Sequence, residues 1–154
     1  MTILYSLQAI MMTEEYMYLD CIPLYGLNGI ERNHFQEPKI TRCLLVGDFF
    51  NFGANETAYD QEKDFLSELA YNLYEKAHVS SLGLWLYGHT LSFTNLNDSI
   101  KNMRQSPIDF LEDVFNVQYQ AVEKPLDTAD AILQLNKLVD VENRINCIAF
   151  ISAL

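Results

Sequence analysis

Residues 60–78 read DQEKDFLSELAYNLYEKAH and residues 81–87 read SLGLWLY, and these two neighbouring stretches decide the class of fold. At 100° per residue, Phe65, Leu66, Leu69, Leu73 and Ala77 gather on one side of the first stretch while Asp60, Asp64, Glu68 and Glu75 gather on the other, which is the pattern of an amphipathic helix. Thr57 and Asp60 stand three apart as an approximate capping box. Lys76 and His78 at the far end complement the helix dipole. In the second stretch Leu82, Leu84 and Leu86 alternate with Gly83, Trp85 and Tyr87, the two-residue period of a strand. Thr90 to Thr94 alternates again after Gly88-His89, so a hairpin is expected there.

Outward from this pair, Ile40 to Phe50 carries Cys43-Leu44-Leu45-Val46 before Gly47-Asp48, an apolar run of the length of a buried strand. Ser106-Pro107-Ile108-Asp109 is a helix start, with Ser at the cap and Pro at the first helical position. That helix is predicted to run to about Val122, with Ile108, Leu111, Phe115, Tyr119 and Val122 inward and Asp109, Glu112, Asp113, Asn116, Gln120 and Glu123 outward. A further helix starts at Asp127 or Thr128 and uses Ile132, Leu135, Leu138 and Val139. The tail from Ile145 to Ala153 suits either strand or helix, with Ile145, Ile148, Phe150 and Ile151 favouring strand. At the other end, Leu4 to Leu7 and Tyr16 to Ile22 read as strands, although Gln8 to Tyr18 equally suits a helix. Tyr25 to Gly29 holds an Asn-Gly turn, and the chain from there to Pro38 reads as a polar loop. The expectation is one α+β domain over residues 1–154, a mixed or antiparallel sheet packed against about three helices.

The 154 residues are 49% hydrophobic and 20% charged, a globular composition long enough to bury roughly 70% of its unfolded surface. No basic stretch precedes Arg32 and no apolar run approaches the ~20 residues that span a bilayer, so a cytoplasmic protein with no membrane segment is expected. Cys21, Cys43 and Cys147 are odd in number, far apart and set in apolar runs, which suits reduced core thiols. Twenty-one acidic residues against ten basic ones, net −11, oppose nucleic-acid binding, because phosphate contacts need clustered Lys and Arg. The same charge opposes docking on anionic membranes.

No motif specifies a chemistry. Spacings for zinc, calcium, dinucleotide or phosphate-loop binding are missing, so neither a metal nor a cofactor is expected. For catalysis, Cys43 with His89 or His34 supplies a nucleophile and a base by residue type alone, and Cys43 reads as a core thiol. Asp48 closes the apparent strand at Gly47, where α/β proteins often carry functional groups, but a strand-ending Asp is more often a turn cap. His89 sits at the expected hairpin tip. A small hydrolase or transferase with a site near Asp48, His89 and Cys43 is therefore the alternative expectation.

The charge has a pattern of its own. From Cys43 to Glu75 the chain carries Asp48, Glu56, Asp60, Glu62, Asp64, Glu68 and Glu75 against Lys63. Like charges four apart on a helix repel, so Asp60, Asp64 and Glu68 carry a local cost that a cationic partner would relieve. The leading expectation is an acidic binding protein, not an enzyme, that neutralises a basic protein partner through Asp60, Asp64, Glu68, Glu75, Asp109, Glu112 and Asp113. Its most concrete form is an immunity protein or antitoxin against a nuclease-type toxin, and a phage-encoded mimic of DNA charge is a variant. A structural subunit that self-associates through exposed Tyr and Phe is a third reading.

Overall fold

The run around Leu44 and Val46 is apolar without alternation because both of its faces are covered. In the computed structural model, which describes residues 40–51, 55–138, 145 and 147–151, this run forms the middle strand, β1 (Arg42–Phe49), of a three-stranded sheet. β2 (Ser81–Gly88) and β3 (Cys147–Phe150) flank it in the order β2-β1-β3, both parallel to β1, with Cys43 opposite Leu82 on one side and Cys147 on the other. Parallel neighbours need long crossovers. Helix α1 (Glu56–Glu75) lies in the first, while α2 (Leu96–Lys101), α3 (Pro107–Phe115) and α4 (Thr128–Asn136) lie in the second.

Alternation along each strand divides the core in two. Cys43, Leu45, Phe49, Leu82, Leu84, Leu86 and Ala149 pack with Leu66, Leu69 and Leu73 of α1 and Phe110 and Val114 of α3. On the opposite face Leu44, Val46, Trp85 and Tyr87 pack with Leu96 and Ile100 of α2 and Ala131 and Leu135 of α4. The α+β expectation is met, with four described helices and described strands that are all parallel. Two-sided burial explains why β1 and β2 read as they do: Gly83, Trp85 and Tyr87, the expected outer face of a half-buried strand, are buried as thoroughly as Leu82, Leu84 and Leu86.

Three local readings need correction. Thr90 to Thr94 is a series of bends rather than a second hairpin strand, although Phe93 returns to the edge of β2, where its carbonyl accepts from the Leu86 N–H at 3.0 Å. Helix α1 is capped by Asn55, whose side chain accepts from the Ala58 N–H, so Thr57 and Asp60 lie within the helix; Lys76 is its C-terminal cap and His78 lies beyond it with φ +51°. Helix α3 starts at Ser106 and Pro107 as expected but ends at Phe115, and it buries Phe110 and Val114 while Ile108 and Phe115 stand in solvent. The two candidate faces are similarly apolar, and the position of the sheet selects between them.

The strand expected in the tail is β3, and the helix expected from Asp127 or Thr128 is α4, capped by the Asp127 side chain. Within α4, Ile132 is exposed while Ala131 and Leu135 face the core. The expected strands at Leu4 to Leu7 and Tyr16 to Ile22, the turn at Tyr25 to Gly29 and the loop to Pro38 lie outside the described residues. No described helix is long and apolar enough to cross a membrane. Cys43 and Cys147, adjacent across β1 and β3, are joined as a disulfide, which replaces the expected reduced thiols at these two positions.

Candidate functional site

Helix α1 turns Tyr59, Leu66, Leu69 and Leu73 to the sheet, which fixes the direction of everything else on it. One stripe on its far side, Asp60, Asp64, Glu68, Tyr71 and Glu75, is exposed along its whole length. Helix α3 lies beside α1. The Phe110 ring near the start of α3 meets Tyr74 near the end of α1, with ring centroids 6.4 Å apart at 68°. Phe115 at the end of α3 lies under the Lys63 ammonium, 5.6 Å from the ring centroid. The two helices therefore run antiparallel in one layer over the same face of the sheet, and this layer carries all seven acidic candidates.

Asp109 and Glu112 join the exposed α1 carboxylates on that layer, whereas Asp113 is only partly exposed. Its two oxygens take a bidentate pair from Arg104, Nε to Oδ2 at 2.6 Å and Nη2 to Oδ1 at 3.0 Å. Among the described residues it is the one candidate of the seven in an ion pair. The Arg104 guanidinium is held in its charged form by Asp113 first, with smaller contributions from Asp109 and Glu112. The same two helices also expose Tyr71, Ile108 and Phe115, which are 54%, 74% and 78% accessible. Helical spacing predicts Ile108 and Phe115 in the core, and their exposure turns an acidic surface into one that also carries apolar anchors.

The residues of the alternative site do not come together. Cys43 is the second residue of β1 and Asp48 the last but one, so they stand about 16 Å apart along the strand at ~3.3 Å per residue. Cys43 is also wholly buried and bonded to Cys147. Asp48 is buried and behaves as a turn cap: its Oδ1 accepts from the Phe50 N–H at 2.9 Å and the Asn51 N–H at 3.2 Å, and its Oδ2 from the Asn51 side-chain amide at 2.6 Å. That amide also lies 3.4 Å from the Thr128 hydroxyl, which ties the end of β1 to the start of α4. His89 does share this end of the sheet with Asp48, since its N–H donates to the Phe49 carbonyl. Its Nδ1 accepts from the Val122 N–H at 3.4 Å and its ring sits between Phe50 and Tyr119, so it organises the loop after α3.

Glu62 is the group that the sequence reading passed over. It lies on the sheet-facing side of α1, 7% exposed, and its Oε1 has no hydrogen-bond partner. Its carboxyl is pushed up to about 7, chiefly by burial, with a hydrogen bond to the Asp48 backbone opposing the rise and the neighbouring Asp48 charge adding to it. The signal was available, since Glu62 sits four residues before Leu66 and seven before Leu69 on the apolar stripe. A carboxylic acid protonated near neutrality beside a second carboxylate has the elements of acid–base chemistry. Here both groups are buried under α1, which makes them part of the core rather than of an open site. No family model, curated protein or solved structure matches this chain.

Proposed function

We propose that the protein binds a basic protein partner through the outer surface of α1 and α3, as an immunity protein or antitoxin does when it covers a nuclease-type toxin. The observation that carries this reading is that one two-helix layer exposes Tyr71, Ile108 and Phe115 together with Asp60, Asp64, Glu68, Asp109 and Glu112. Interfaces draw most of their affinity from a few desolvated aromatic and apolar anchors, and surrounding charges set the rate and the specificity of encounter. A face that only mimicked the charge of DNA would have no use for the anchors, which favours a folded protein as the partner. The sequence expectation places the complex in the cytoplasm, and the binding surface uses neither Cys43 nor Cys147.

The test is inhibition and association kinetics against a panel of purified basic nuclease domains, measured at low and physiological salt. The wild-type chain is expected to inhibit at least one of them, with an association rate that falls steeply with salt. Asp64→Lys with Glu68→Lys should lower that rate by ~10-fold or more at low salt, while Phe115→Ala should act on dissociation. Failure to inhibit any member, or a complex indifferent to salt, would refute the reading.

A further inference from the structure

The outer edge of β2 carries a cavity of about 430 Å³, with Leu82, Leu84, Leu91, Phe93, Ser99 and Arg104 on its wall. This is the size of a small-molecule site, and its wall combines four apolar side chains with a polar majority that includes Asp98 and Asp113. Its polar groups come from how the edge is closed. Leu82 exchanges both backbone hydrogen bonds with Arg104, at 2.8 and 2.7 Å, and Leu86 donates to the Phe93 carbonyl at 3.0 Å. At the end of the same strand His89 donates inward to Phe49. Odd-numbered residues therefore turn their peptide groups to β1 and even-numbered ones turn theirs outward. Leu84 falls between the two closed positions, and its N–H and C=O face the cavity with no partner among the described residues.

Two further features meet there. Ser99 is 7% exposed and its hydroxyl has no hydrogen-bond partner, an arrangement that costs stability unless something else supplies the bond. Phe93 holds φ at +56°, a left-handed conformation that a bulky residue adopts only under constraint and that is concentrated at ligand sites. An extended peptide does not fit this edge, because strand addition needs successive open positions and Arg104 and Phe93 occupy those on either side of Leu84.

We propose that this cavity binds a small molecule with a primary carboxamide on an apolar body. The carboxamide oxygen accepts from the Leu84 N–H while its N–H donates to the Leu84 C=O, a planar pair that matches one extended residue. The Ser99 hydroxyl bonds to the amide's remaining donor or acceptor, and Leu91 and Phe93 cover the apolar part. The site lies at the sheet edge and adjoins the layer of α1 and α3 at Asp113, whose pair with Arg104 forms part of its wall.

Benzamide is the probe, titrated into the ¹⁵N-labelled full-length protein and followed by two-dimensional NMR. Saturable shifts centred on the amide signals of Leu84 and Ser99 are expected, with a dissociation constant of ~1 to 30 mM for so small a ligand. Ser99→Ala should keep the spectrum of the folded protein and weaken binding by ~2- to 10-fold. Toluene and benzoate, which lack the donor–acceptor pair, should bind far more weakly. Shifts that do not saturate or that centre elsewhere would overturn the assignment, as would toluene matching benzamide or Ser99→Ala binding as tightly as the wild type.

Discussion

Replacing Glu62 by Gln should make the protein more stable, and by an amount that depends on pH in a definite direction. Glu62 titrates at about 7 in the folded protein against an ordinary 4.5, so between those values the folded state holds a proton that the unfolded state has released. Stability therefore falls as pH rises through this window. Below about 4.5 both states are protonated and the group contributes nothing; above about 7 its full penalty is present. At ~1.4 kcal/mol per pH decade, the interval from 4.5 to about 7 amounts to about 3 kcal/mol. Exposure of only 7% leaves little solvent to screen it. A Gln side chain has the same shape and no charge, but it still buries an amide whose bonds need not all be met. That offset is constant with pH, so the slope carries the test. Urea unfolding of both proteins at pH 4.5, 6 and 8 should show the advantage of Glu62→Gln growing by about 2 to 3 kcal/mol from the lowest pH to the highest. A difference that stays level within ~0.5 kcal/mol would show that Glu62 titrates as an exposed acid and that the desolvation argued for it is wrong.

Three further outcomes follow from the packing. Phe110→Ala empties a wholly buried site and should cost ~3 to 5 kcal/mol, whereas Ile108→Ala and Phe115→Ala, on the solvent side of the same helix, should each cost less than ~1; thermal unfolding of the three variants checks the phase of α3. Gly88 has φ +106°, and a Cβ there would stand 2.2 Å from the Phe49 carbonyl carbon, so Gly88→Ala should destabilise by at least ~2 kcal/mol in the same assay. Alkylation of the denatured protein without reductant, read by mass spectrometry, should leave Cys43 and Cys147 unlabelled until reductant is added; labelling of both beforehand would contradict the bond.

The elements themselves were legible in residue order wherever the signal was local. Ser106 followed by Pro107 marked the start of α3, Asp127 the start of α4, and the 3.6-residue period of residues 60–78 most of α1, because caps and periodicity depend on neighbours within a turn or two. The site was legible to the same depth. The helical period puts Asp60, Asp64, Glu68 and Glu75 on the solvent face of α1, where they lie, and a strand-ending Asp suits a turn cap, which Asp48 is, accepting from the Phe50 and Asn51 amides.

What lay beyond sequence was every choice between two equally apolar faces. Ile108 with Phe115 and Phe110 with Val114 satisfy helical spacing alike, and only the position of the sheet beneath α3 sends the second pair inward and leaves the first exposed beside the carboxylates. Strand pairing was settled the same way: Ser81 to Gly88 finds its partner 39 residues earlier in Arg42 to Phe49, not in the adjacent Thr90 to Thr94. Glu62 looks like any other acid of an acidic helix until the sheet covers it. Composition and period determine which segments become helix or strand and the sign of the surface, because those are properties of neighbouring residues. Which face is buried, which acid loses its water and which cysteine meets another are decided by tertiary contacts, because burial is set by residues distant in the chain.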